Sequence, residues 1–130
     1  MSSGKILIVE DDMDFLMAMG IRLKASGYSV VSASDGVAAI SMARQERPDL
    51  VLLDLGLPAG DGFVVIETLK NLLPLAQIPI IVLSARDPVV NKERARQAGA
   101  VAYLQKPVEN AVLLAAIRKV LGERRDASVG

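Results

Sequence analysis

Asp49-Leu50-Val51-Leu52-Leu53-Asp54-Leu55-Gly56-Leu57-Pro58 decides how this chain folds. Four apolar residues run unbroken between two aspartates, and Asp61-Gly62 follows close behind. A short apolar run bounded by turn residues is the pattern of a strand covered on both faces, the strand type of a parallel sheet sandwiched by helices. Asp54 therefore ends a strand at its carboxyl edge, along which open α/β sheets bind ligands.

Working outward, Ile6-Leu7-Ile8-Val9 is a second such run, and it ends in Glu10-Asp11-Asp12. Phe15, Leu16, Met19 and Leu23 recur at helical spacing, with Gly27 at the stop. Tyr28-Ser29-Val30-Val31 is a more polar strand, suited to a place nearer the sheet edge. Asp35-Gly36 opens a helix carrying Val37, Ile40 and Ala43 inward, which must end before Pro48. Phe63, Ile66 and Leu69 form a third helical stripe that Pro74 closes. The fourth strand is Ile78–Leu83, with its proline near the start. Asp87-Pro88 caps and begins a helix through Val90 and Ala95, ended by Ala98-Gly99. Val101–Leu104 is the fifth strand, Gln105-Lys106-Pro107 follows, and a last helix presents Val112, Leu113, Ile117 and Val120 before Gly122. Five strand patterns alternating with five helix patterns predict an α/β fold, a single doubly wound (βα)5 domain of three layers with a parallel sheet and right-handed crossovers. The domain is expected over residues 5–122, with 1–4 an N-terminal extension and the polar residues 123–130 a tail or linker.

Composition narrows the chemistry. With 130 residues the chain has the length of one domain with a sizeable core. It has no cysteine, which excludes disulfides, thiolate zinc sites and catalytic thiols, and fits a reducing cytoplasm. It has no histidine, which removes the commonest general base and any phosphohistidine on this chain. Fifteen basic residues balance fifteen acidic ones, so no direct binding to nucleic acid or to a membrane is expected. Apolar runs such as Ile80-Ile81-Val82-Leu83 are far below bilayer-spanning length, and the residues before Ile6 lack a signal-peptide profile. Walker-type and dinucleotide loops are absent.

The strand ends together suggest a site. They deliver Glu10, Asp11 and Asp12 from the first strand, Asp54 from the third, Ser84 from the fourth and Lys106 from the fifth. Crowded carboxylates repel, and a hard divalent cation with oxygen ligands, Mg²⁺ above all, relieves this. One carboxylate pointing into such a site can act as nucleophile and form an acyl phosphate. An ammonium and a hydroxyl then meet the charge on the phosphoryl oxygens, roles that suit Lys106 and Ser84. Taken singly, each residue has a plainer reading. Asp12 suits a helix N-cap, Asp54 a turn aspartate bonding its own backbone, Ser84 a turn serine and Lys106 a solvated lysine.

Ile6–Asp12 (ILIVEDD), Asp54–Gly62 (DLGLPAGDG), Ser84-Ala85 and Tyr103–Pro107 (YLQKP) together resemble the receiver domain of bacterial two-component response regulators, of the chemotaxis-regulator kind, over residues 5 to 121. The resemblance implies a flavodoxin-like sheet of order 2-1-3-4-5. It implies that Asp54 is the phosphoacceptor, that Asp11 ligates Mg²⁺ directly and Glu10 mainly through water, and that Asp54 and the Gly56 carbonyl complete the metal set, with Mn²⁺ as a substitute. Ser84 would bond the phosphoryl group and Lys106 pair with it. Ser84 and Tyr103 would act as the switch, the tyrosine ring moving inward to alter the surface of the fourth helix, fifth strand and fifth helix. The implied partners are a sensor histidine kinase or histidine phosphotransfer protein as donor, an output protein or effector domain on that surface, and a second copy in a phosphorylation-dependent homodimer. The chain would be a cytoplasmic signalling domain rather than an enzyme, confined to its own phosphorylation and dephosphorylation. Gly56 departs from the many relatives that carry a larger polar residue there, and Arg86 is placed to lie over the site instead. Two other readings compete. One is a receiver-shaped adaptor working without phosphorylation. The other is a Mg²⁺-dependent phosphatase with an aspartate nucleophile, against which Gly56 stands where such enzymes carry a second acid.

Overall fold

A computed structural model describes residues 4–57 and 61–122. The chain alternates strand and helix: β1 (Lys5–Val9), α1 (Met13–Ala25), β2 (Ser29–Ala33), α2 (Gly36–Glu46), β3 (Leu50–Leu53), α3 (Gly62–Lys70), a 3-10 turn (Leu75–Gln77), β4 (Ile80–Ser84), α4 (Pro88–Ala98), β5 (Ala102–Gln105) and α5 (Asn110–Leu121). All strand pairs are parallel, in the order β2-β1-β3-β4-β5. The polar strand β2 is at an edge, as its composition predicts. The motif residues Pro58, Ala59 and Gly60, the N-terminal residues 1–3 and the tail 123–130 lie outside the described residues.

The strands are apolar on both sides because the sheet has a core on each. Leu7, Val9, Val51, Leu53, Ile80 and Val82 face Ala39, Ala43, Phe63, Ile66, Leu69 and Ala95 of α2, α3 and α4. Ile6, Ile8, Leu50, Leu52, Ile81 and Leu83 face Met19, Leu23, Leu113 and Ile117 of α1 and α5. Successive residues of one strand serve opposite layers, the period-two consequence of strand geometry.

Two inward assignments change. Val37 is 76% exposed, and α2 instead buries Gly36, Ala39 and Ala43, with Ile40 partly covered. Small residues let α2 lie close to the sheet, so the face with less hydrophobic bulk is the buried one. In α5 Val112 points outward and Leu114 joins Leu113 and Ile117 inside. On α4 Val90 is exposed and Ala95 is the buried residue. Pro74 does not close α3, which ends at Lys70; it precedes the 3-10 turn. Lys70 then ties this corner, donating to the Ala76 and Ile78 carbonyls at 3.1 Å each.

Candidate functional site

Backbone pairing fixes where the strand ends meet. Val9 pairs with Leu53, and the Asp54 amide donates to the Val9 carbonyl at 3.0 Å. Ser84 pairs with Gln105, and the Lys106 amide donates to the Ser84 carbonyl at 2.8 Å. The four chain segments are therefore locked side by side before any side chain is considered.

The side chains converge as well. Carboxylate oxygens of Glu10, Asp11 and Asp54 lie within 4.8 Å of one another. Lys106 Nζ is 2.6 Å from Glu10 Oε1 and 3.8 Å from Asp54 Oδ2. Its first partner is thus Glu10, a contact across 96 residues of sequence that the apolar pattern does not reveal. Glu10 is only 2% exposed. Its second oxygen accepts from the Asp12 amide at 3.0 Å, so both oxygens are engaged within the protein.

Burial, the largest influence on Glu10, raises its pKa above the ordinary glutamate value. Its hydrogen bonds from Lys106 and the Asp12 amide oppose this, and the Asp54 charge adds to it. A carboxyl with a raised folded pKa favours the fold when protonated. That contribution is full below the unfolded value and is lost as pH rises through the folded one. In chelator, then, the contribution of Glu10 to stability falls as pH climbs above the ordinary glutamate range, so the Tm of Glu10→Gln gains on that of wild type as pH rises to neutral. An unchanged Tm profile in the variant would show that burial of this charge costs nothing.

The plainer readings hold alongside the convergence. Asp12 is the N-cap of α1, its Oδ1 accepting from the Phe15 amide at 3.1 Å. Asp54 Oδ1 accepts from the Gly56 amide at 3.3 Å, leaving Oδ2 toward Lys106. Ser84, 1% exposed, accepts from the Arg86 amide at 3.1 Å. Asp61 caps α3 through the Phe63 amide. Arg86 is exposed, and its backbone rather than its side chain makes the contacts seen. Its carbonyl accepts from the Tyr103 hydroxyl at 2.8 Å, so one residue joins Ser84 to Tyr103. Burial raises the pKa of that hydroxyl, with the Ser84 side chain and the Arg86 charge opposing. Among the described residues, a Cβ on Gly56 would meet only Asp54 Oδ2, at 3.9 Å, so they leave space beside that carboxylate.

The sheet order and acidic pocket define a receiver-type signalling domain, and the comparisons agree. The family model for the response regulator receiver domain matches residues 6–118, and the chain belongs to that family. It is 37% identical over 123 residues to the transcriptional regulatory protein PrrA of Mycobacterium tuberculosis, covering 95% of this chain and 52% of that protein. It is 35% identical over 118 residues to the polar-differentiation response regulator DivK of Brucella anthropi, covering 91% of this chain and 96% of that protein. The receiver domain of a sensor histidine kinase from Pseudomonas aeruginosa PAO1, solved with a magnesium ion coordinated in its active-site cleft, superposes with TM-score 0.86 at 30% identity, covering 94% of this chain and all of that one. The chain spans about half the length of several curated relatives it matches. The family is one of signalling domains, not a class of conventional enzymes. Among the described residues no helix is long and apolar enough to cross a membrane.

Proposed function

We propose that Asp54 takes a phosphoryl group from the phosphohistidine of a sensor histidine kinase or histidine phosphotransfer protein, that it does so in the cytoplasm, and that the chain is a self-phosphorylating and self-dephosphorylating switch rather than an enzyme. The observation that carries this reading is the convergence of three carboxylates with Lys106 at one rim. Oδ2 of Asp54 attacks phosphorus as the P–N bond breaks, and the imidazole leaves with the electron pair. The product is an acyl phosphate. Lys106, 3.8 Å from that oxygen, meets the added negative charge, and the Ser84 hydroxyl donates a hydrogen bond to a phosphoryl oxygen.

The donor set is one of hard oxygens at close spacing, which fits Mg²⁺, with Mn²⁺ as a substitute. Glu10, Asp11, Asp54 and the Gly56 carbonyl would hold the ion. When bound, it supplies neutralisation of the phosphoryl oxygens.

Ser84 can donate to a phosphoryl group while still accepting from Arg86. Drawing Ser84 toward Asp54 therefore pulls Arg86, and with it the carbonyl that holds Tyr103. Tyr103 lines a 370 Å³ groove with Val89, Lys92, Arg96, Ala100 and Val101, between α4 and β5, two of the three elements of the α4-β5-α5 face. That face is where an output partner, or a second phosphorylated copy, would dock.

Incubation with Mg²⁺ and acetyl phosphate, followed by intact mass, tests the reading: one phosphoryl group is expected. Turnover of phosphate esters would favour the phosphatase, and no adduct with any donor would favour the adaptor. The open space at Gly56 yields a further prediction. Gly56→Asn places a polar side chain beside Oδ2, screens the acyl phosphate from water and lengthens its lifetime several-fold, whereas Arg86→Ala has a smaller effect. Identical lifetimes in the three proteins would discard control of water access by these positions.

A further inference from the structure

Phe15 sits in the first turn of α1, and the roles assigned above do not use it. Its ring faces the Lys106 ammonium, with Nζ 3.9 Å from the ring centroid. The same nitrogen is 2.6 Å from Glu10 Oε1 and 3.8 Å from Asp54 Oδ2. Lys106 is thus held on three sides, by two carboxylates and an aromatic face. The ring is in turn fixed from within the site. The Phe15 amide donates to Asp12 Oδ1 at 3.1 Å, and the Asp12 amide donates to Glu10 Oε2 at 3.0 Å. Glu10, Lys106, Phe15 and Asp12 form a closed ring of contacts, with Asp54 at its rim.

A lysine on a four-carbon stem has many rotamers, and Glu10 by itself would draw the ammonium away from Asp54. An aromatic face attracts a cation without taking one of its N–H bonds, so the ammonium keeps its donors for oxygen atoms. A leucine would occupy much of the same space without that attraction.

We propose that Phe15 is a positioning residue for phosphoryl transfer, its π face holding Lys106 Nζ beside Asp54 where the incoming negative charge arrives. The proposal rests on Asp54 being the acceptor. It differs from a packing role in depending on the charge distribution of the ring, not only on its volume.

The test compares wild type, Phe15→Tyr, Phe15→Leu and a series with fluorinated phenylalanines at position 15, which keep the ring's shape while weakening its negative face. The rate of Asp54 phosphorylation by acetyl phosphate with Mg²⁺ is read alongside the ε-methylene proton shifts of Lys106 in the free protein. The tyrosine variant is expected to match wild type. Phe15→Leu slows phosphorylation roughly three- to tenfold, and the fluorinated series slows in order of fluorine content. The Lys106 ε-methylene protons are shifted upfield by the ring in wild type and return to ordinary lysine positions in Phe15→Leu. Wild-type shifts already at ordinary positions would overturn the proposal whatever the kinetics. So would phosphorylation of Asp54 at equal rates across the ring series, with the parent reading intact. Failure of wild type to take a phosphoryl group on Asp54 would remove both.

Discussion

Asp54→Asn takes up no phosphoryl group. The variant keeps the shape of the side chain, and its amide oxygen still accepts from the Gly56 amide, a bond of 3.3 Å in the parent. What it loses is the carboxylate nucleophile, without which no acyl phosphate forms. Fold loss does not explain the result, because the substitution removes one of three negative charges gathered within 4.8 Å. In chelator the variant therefore melts at or above the wild-type temperature, since like charges at short range oppose each other. Intact mass after exposure to acetyl phosphate and Mg²⁺ checks the first part, and thermal unfolding followed by circular dichroism checks the second. An adduct on the folded variant would move the acceptor to another residue.

Gly62→Ala has the largest expected effect on stability. A Cβ there would stand 2.6 Å from Leu55 Cα and 3.0 Å from the Asp54 and Leu55 carbonyl oxygens. All three are backbone atoms of the strand end, and the Gly62 amide is already bonded to the Leu55 carbonyl at 3.1 Å. No side chain can swing aside, so the N-terminus of α3 must back away from the Asp54-Leu55 segment. The cost is roughly 3 kcal/mol, at the upper end of ordinary overpacking. For a domain of this size that lowers Tm by roughly 10 °C. Gly36 offers a control on the neighbouring helix: among the described residues its added Cβ would meet only Val65 Cγ2, at 2.9 Å, and a side chain can shift where backbone cannot. Urea unfolding should rank Gly62→Ala well below Gly36→Ala. Equal stability of the two variants would mean that the Asp54-Leu55 segment yields more easily than its packing implies.

Most of the sheet is legible in the sequence because every strand but the polar edge strand β2 is an apolar run followed by polar residues, and parallel pairing carries those cut-offs to one edge. Glu10, Asp54, Ser84 and Lys106 follow from that alone. The helix faces are less legible. Val37 is more hydrophobic than Gly36, Ala39 and Ala43, yet the close approach of α2 to the sheet selects the small residues for burial and turns Val37 out. Periodicity shows that a helix has a buried face but weighs a residue by bulk, and close packing here rewards its absence. The wiring inside the site is the least legible. Lys106 pairs first with Glu10, and Phe15 covers it, although in the linear pattern Phe15 is only the first residue of an inward stripe. Such contacts depend on rotamers and on loops between strand and helix, which sequence spacing does not encode. Likewise the Arg94 guanidinium lies 3.9 Å from the centre of the Phe63 ring, tying exposed α4 to the start of α3 where apolar spacing gives no sign of it.

Borohydride reduction of the phosphorylated protein bears most directly on the role of Asp54, because it turns the carboxyl of an aspartyl phosphate into the alcohol of homoserine. Peptide sequencing after treatment with acetyl phosphate and Mg²⁺ should find homoserine at position 54 and aspartate at positions 11, 12 and 61. Homoserine at Asp11 or Asp12, or aspartate retained at every position of a protein that carries the phosphoryl mass, would contradict the account.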